Sequence, residues 1–337
     1  MRPVRALAFH AKYACRHTGA CCSSGWPIPV EADGVRIIET AARAGRMGDA
    51  HRLTLLVRPA GAPAATPALL PTVNDTCAFR HDDPDAHCAV HRALGHDALP
   101  LACRQFPRIT VHDPRGISVT LSHYCPTAAH LIGYDRFDGY GGYDRYGTRI
   151  LVNPPGFPGS AEYVGLDARE ALPPLLRPDL LMDWESWWRI EELAVETLLG
   201  RGNSADEALA LVRGAVHRLD QWRPDTGVHL QDEVDRAFER SQPSPPARTV
   251  DDLVTSAMGR VPAAFSSRAR WDSTVRTSDN VTRKFLAAHA FANWRVHERD
   301  GGLAAWLRSV ETAHAFLSAG AGVRQADLVL RHLVSDG

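Results

Sequence analysis

Apolar and polar positions along this chain switch between a two-residue and a helical period. Val4-Arg5-Ala6-Leu7-Ala8-Phe9 is a short alternating run and predicts a strand. From 31 to 56 the spacing of Val35, Ile38 and Ala42 predicts a helix, weakened by Gly45 and Gly48. Residues 58–71 carry four prolines and no period, which reads as a loop. A short helix is expected over 86–94, stopped by Gly95. Alternation returns on both sides of Asp113-Pro114-Arg115-Gly116, so 109–122 predicts a β-hairpin. Pro126 opens a helix through Ala128, Ala129, Leu131 and Ile132.

Residues 138–160 are rich in Gly, Pro and Tyr and predict a linker. Beyond it the period is helical. Trp184, Trp187, Trp188, Glu191, Val195 and Leu198 share helical spacing, with Asp183 as N-cap and Gly200 as stop. Ser204 and Glu207 form a capping box ahead of Leu209, Val212, Val216 and Leu219. After a Ser/Pro break at 241–247, helices are expected at 280–297, 303–318 and 323–335. The expected fold is therefore mainly α with a small β component. It has a cysteine-rich N-terminal metal-binding lobe (1–137), a linker (138–160) and an all-α C-terminal helical body (161–337).

Composition changes this picture little. Hydrophobic residues make up 45% and charged residues 23%, as in an ordinary globular chain, and the net charge of −1 supplies no field for nucleic acid or an anionic membrane. No apolar run has the length of a signal-peptide core or of a spanning helix, so a cytoplasmic protein is expected. In that compartment clustered thiols bind metal or react more often than they pair.

The cysteines change it most. All seven, Cys15, Cys21, Cys22, Cys77, Cys88, Cys103 and Cys125, precede Pro126. Their spacing, C-x5-C-C and then C-x10-C-x14-C-x21-C, lacks the paired knuckles of zinc folds and suits a centre assembled from several loops. Thiolates are soft ligands that favour zinc or an iron–sulfur cluster, usually four to a centre. The seven are not partitioned by spacing, and buried apolar cysteines remain the plain alternative. His17, His81, His87, His91 and His123 stand near these thiols in sequence.

The motifs that hold the cysteines resemble a known family. Tyr13, Cys15, the Cys21-Cys22 pair and Gly25-Trp26 with Ile28 and Val30 form the first. Cys77-Ala78-Phe79, Cys88-Ala89-Val90-His91, Leu94-Gly95, Leu99 and Cys103-Arg104-Gln105-Phe106-Pro107-Arg108 form the second. Val119-Thr120-Leu121-Ser122 with Cys125-Pro126, Ala128 and Ala129 form the third. Together they resemble the cysteine-cluster zinc- or iron-chelating family, and most of all its flagellin lysine-N-methylase branch. Thr18 stands where members commonly carry a further cysteine.

The resemblance implies an iron–sulfur cluster, 4Fe-4S in that branch, or zinc in the wider family. It also implies S-adenosylmethionine as methyl donor and a lysine-bearing protein or peptide as acceptor, flagellin by family association. A non-enzymatic zinc or iron chelator and a cluster-based redox protein are the alternatives. No strand–GxGxxG–helix of an ordinary dinucleotide-type methyltransferase accompanies the motifs.

Around the thiols, Arg104 is the candidate cofactor-binding residue: its guanidinium can offset thiolate charge or grip a carboxylate, or else make a surface ion pair. Arg108 reads as a surface ion pair. Trp26 either shields the centre or packs as an ordinary aromatic. Asp82-Asp83-Pro84-Asp85 and Tyr124 can assist a lysine amine, or the acidic run is a solvated loop. Gly139-Tyr140-Gly141-Gly142 reads as part of the linker.

Overall fold

The computed structural model describes residues 2–47, 56–58, 61, 63, 66–80, 88–133, 149–159, 162–261, 277–297, 301–331 and 333. Five strands within them build one mixed sheet, in the order Ile150–Val152, Val4–Leu7, Gly116–Leu121, Arg108–Asp113, Leu166–Asp167. The N-terminal run becomes an inner strand. It pairs in parallel with Gly116–Leu121 (Val4 opposite Ile117) and antiparallel with Ile150–Val152 (Arg5 opposite Val152). The expected hairpin forms, with Arg108 opposite Leu121 and Asp113 opposite Gly116. Gly116 is required there. Its φ is +147°, and a Cβ would meet the Pro3 carbonyl oxygen at 2.5 Å.

The chain divides into two compact units. The first comprises Met1–Tyr13, Arg108–Tyr124 and Ala128–Gly337, and so holds the whole sheet together with the long helices. The second comprises Ala14–Pro107 and Cys125–Thr127. This corrects the expected fold class. Among the described residues helix accounts for 49% and strand for 13%, but a mixed five-strand sheet organises the strands, and an N-terminal lobe followed by an all-α body does not describe the arrangement. The physical reason is non-local pairing. Backbone donors and acceptors of Val4–Leu7 find partners more than a hundred residues away, and this ties the N-terminal strand into a sheet with segments from the middle of the chain. The described part of 138–160 contributes the strand Ile150–Val152. Residues 138–148, including Gly139-Tyr140-Gly141-Gly142, lie outside the described residues, as do His81, Asp82-Asp83-Pro84-Asp85 and His87.

In the first unit the helix Trp184–Leu199 is capped by Asp183, whose carboxylate accepts from Ser186 N at 2.7 Å. Ala205–Asp220 opens on the reciprocal Ser204–Glu207 box. Asp279–Ala290 ends sooner than periodicity suggests. Ala292 takes φ +53°, and its N–H is received by Glu191 Oε1 at 2.9 Å. The helices Gly302–Ser318 and Val323–Arg331 follow. Trp306, Phe285, Phe291 and Phe316 are fully buried among them, and Trp306 Nε1 donates to Ala290 O at 2.9 Å. Ion pairs bind sheet to helix, Arg5 to Glu192 at 2.8 Å and Arg115 to Glu191 at 2.5 Å, and Arg115 also pairs with Asp113 across the hairpin turn at 3.0 Å.

The second unit is built on the helix Ala32–Arg43 and the short helices Ala89–Leu94 and Leu101–Gln105, with two-residue ladders between them. Ile38, Ala42, Met47, Phe79 and Val90 form its core with Cys77, and Cys22, Cys88 and Cys103 pack against that core. No described helix is long and apolar enough to cross a membrane.

Candidate functional site

All seven cysteines fall in the second unit. Cys21 and Cys22 end a single 3-10 turn, Ala20–Cys22, entered through Gly19 at φ 71°. This turn points both thiols the same way, with the sulfurs 3.9 Å apart. Ser24 Oγ donates to Cys21 O at 3.2 Å and fixes the exit. Cys77 is buried at the end of the strand Thr76–Cys77. Cys88 stands at the N-cap of Ala89–Leu94, close to the first amides of that helix. Cys103 lies in Leu101–Gln105, whose first amide, Leu101 N, is received by both Glu31 carboxylate oxygens at 3.1 and 3.3 Å.

Four of these thiols are raised in their pKa, each in part by a neighbouring thiol. The Cys21 thiol is pushed well up by its hydrogen bond with Cys22 and then by burial. At Cys22 the Cys21 bond lowers the pKa, but a bond with Cys77, burial, and the charges of Cys77 and Cys88 outweigh it. Burial raises Cys103, and Cys21, Cys88 and Glu31 raise it further, with Arg104 opposing. Burial raises Cys88 too; the His91 and Val90 amides oppose it, and Cys21 adds to it. Cys21, Cys22, Cys77, Cys88 and Cys103 therefore share one electrostatic neighbourhood. In it each thiolate disfavours the next.

The remaining candidates are placed differently. Cys15 is exposed, and its sulfur accepts from His17 N at 3.4 Å. Cys125 is buried immediately before the helix Pro126–Gly133. Arg104 Nη1 donates to Leu99 O at 2.7 Å and Asp97 O at 3.1 Å, which pins the loop ahead of Cys103. Trp26 packs on Phe106 with ring centroids 5.4 Å apart. Arg108 lies over the rings of Tyr13 and Phe157, at 5.7 and 6.0 Å. The His17 and His91 rings stand 4.9 Å apart, and His96, which no spacing signal marks, stands 6.0 Å from His91.

Among the described residues no group of three or more His, Cys, Asp or Glu side chains is arranged to hold a metal ion. The expectation of a preformed metal-binding lobe is corrected accordingly. The thiols are gathered, but they do not converge on one coordination sphere at the roughly 2.3 Å sulfur distance of a zinc ion.

His123 belongs elsewhere. In the first unit it is fully buried, with Nε2 3.1 Å from His10 Nε2 and Nδ1 3.8 Å from Asp327 Oδ1. Asp327 also receives Ser122 Oγ at 2.5 Å and Tyr124 N at 3.2 Å, both on Oδ2, and Oδ1 stands 3.3 Å from His289 Nε2 and 3.5 Å from Arg331 Nε. Burial pushes the Asp327 carboxyl up, but Arg331 and the two histidines outweigh it and hold it well below its ordinary value. The 3.3–3.8 Å separations are ion-pair distances rather than aligned hydrogen bonds, so the Arg331 charge is the main cause. Sequence marks Ser122 and His123 beside Cys125 but not their partners, because His10, His289 and the Asp327–Arg331 pair come from segments far away in the chain.

Comparison with protein-family models, with curated proteins and with solved structures found no match to this chain.

Proposed function

We propose that this chain is an iron–sulfur-containing, S-adenosylmethionine-dependent protein lysine N-methyltransferase-like protein. The observation that supports the cluster half is the gathering of five thiols from four separate segments, in which half-buried Cys21, Cys22, Cys88 and Cys103 are each raised by burial and by one another or by the buried Cys77. The methyl-transfer half rests on the resemblance of the three cysteine motifs.

The donor set suits the group chemically. Sulfur ligands are soft, and thiolates that repel one another without a cation are stabilised by one. A polynuclear cluster gives each thiolate its own iron and so accepts sulfurs that a single ion cannot span. Cys21, Cys22, Cys77, Cys88 and Cys103 are the residues that would hold it. When bound, such a cluster supplies Lewis-acidic or one-electron chemistry. The chain's own residues supply its setting. The core that includes Phe79 and Val90 backs Cys77, Cys22, Cys88 and Cys103 on one side. Arg104 fixes the Leu99 turn and lowers the cost of a Cys103 thiolate.

In the proposed transfer the sulfonium S–CH3 bond of S-adenosylmethionine breaks and an N–CH3 bond forms. The lysine amine must first lose a proton to supply its lone pair. The experiment supplies anaerobically purified protein with methyl-labelled S-adenosylmethionine and lysine-bearing acceptors, flagellin first. Label on lysine Nζ that disappears in Cys22→Ser/Cys88→Ser supports the reading. No transfer to any acceptor by a protein that retains iron and sulfide removes the methylase half and leaves a chelating or redox protein.

A further inference from the structure

In the first unit the break between the helices Leu230–Glu239 and Val250–Met258 is an ordered surface segment with a chemistry of its own. Pro243, Pro245 and Pro246 each fix φ near about −65°, and each pushes the residue ahead of it toward extended ψ. Those constraints favour a polyproline II helix over 242–246, with roughly three residues per turn.

The packing follows that period. Ser241 and Ser244, three apart, are half-buried and face the helix Ala205–Asp220. Ser241 Oγ donates to Leu211 O at 2.5 Å. Ser244 N donates to Ala210 O at 3.1 Å, its carbonyl accepts from Arg213 Nη1 at 2.5 Å, and its Oγ lies 3.0 Å from His217 Nδ1. Arg213 is itself held by Glu311 at 2.6 Å. The segment lies directly on the helix at Gly214, where a Cβ would meet Gln242 O at 2.1 Å.

The other positions point outward. Gln242, Pro243, Pro245, Pro246 and Arg248 are exposed. Arg248 forms no hydrogen bond or ion pair among the described residues. Asp252, the carboxylate its charge reaches, is engaged by Thr249 N and Oγ1 at 3.2 and 2.8 Å. The exposed side therefore reads Pro243-x-x-Pro246-x-Arg248. Pro243 and Pro246 share one face of the helix, one turn apart, and Pro245 and Arg248 share the next.

We infer that this rail docks a protein partner whose groove is lined by aromatic rings and ends in a carboxylate. Proline rings pack between aromatic faces, and the guanidinium pairs with the acid. The serine anchors already hold the backbone extended, so little further freedom is lost on docking.

Isothermal titration calorimetry at constant ionic strength tests this with an isolated SH3 domain that reads Pro-x-x-Pro-x-Arg as the probe. The full chain is titrated in one arm and a synthetic peptide of residues 239–250 in the other. Saturable binding is expected in both, at least as tight for the full chain. Its dissociation constant should weaken by about tenfold or more in Arg248→Glu and in Pro246→Ala. It should stay unchanged in Arg2→Glu, an equal charge change at an exposed position outside the segment. Pro246 and Arg248 are exposed, so both variants are expected to fold. No saturation by the full chain, weaker binding by it than by the peptide, or an equal loss in Arg2→Glu overturns the inference.

Discussion

The two clusters of titratable side chains solve opposite electrostatic problems. In the first unit the Asp327 carboxylate sits among His123, His289, Arg331, Ser122 Oγ and Tyr124 N, so negative charge is met by donors and by a cation. In the second, Cys21, Cys22, Cys77, Cys88 and Cys103 are five acids together, with Glu31 adding to their repulsion and Arg104 offsetting it. The first group is complete as a set of protein charges. The second is tolerable only as neutral thiols and becomes favourable as thiolates once a soft cation arrives. That difference is why the thiols, and not the more numerous buried polar groups, are read as the place where something binds.

The largest effect is expected where the thiols are removed in pairs. Cys22→Ser/Cys88→Ser should abolish iron and sulfide retention, since each lost ligand belongs to the coupled set. Metal analysis of the purified variant checks it, and full retention would break the comparison. Next comes Asp327→Ala. It strands a buried guanidinium and should cost about 3–5 kcal/mol, read from the denaturant midpoint.

Acid should act on the first unit in a stated direction. Burial holds His289 down to about 4, with Arg331 adding to it and the Asp327 bond opposing, and burial likewise holds His297 down to about 4. Unfolded histidine titrates at about 6.5. Between those values the unfolded chain binds protons that the folded chain refuses, so stability falls as pH drops from about 6.5 to 4. A loss of roughly 1–3 kcal/mol is expected across that window in urea titrations at stepped pH. A flat profile would show that these imidazoles find counter-charge in the folded protein.

How much of this was legible in the sequence differs by the range of the interaction. The Asp183 cap, the Ser204–Glu207 box and the Asp113–Gly116 turn are local signals, and each is found where its residues predict. The sheet was not legible. Val4–Leu7 alternates as a strand should, but nothing in it states that Ile117 and Val152 lie on either side. That one fact turns an expected lobe-plus-helices layout into a sheet joined to helices, with the cysteine segment as a separate unit. The cysteines were legible as a group and not as individuals, because convergence depends on the turn at Gly19 and the N-cap at Cys88 rather than on spacing. Asp327, His289 and His10 were invisible for the same reason the sheet was.

The smallest effect sharpens the choice among thiols. Cys15 is exposed and engages its own loop through His17 N, so Cys15→Ser should leave iron and sulfide content intact and change stability by no more than about 0.5 kcal/mol. Loss of the cluster in that variant would return Cys15 to the ligand set implied by the family resemblance.

The central claim is that the five coupled thiols hold an iron–sulfur cluster. Anaerobic purification, followed by iron, zinc and acid-labile sulfide analysis and an optical spectrum of the same sample, tests it most directly. The account predicts a brown protein with about four iron and four sulfide per chain. A colourless protein with zinc and no sulfide, or with no metal at all, would contradict it.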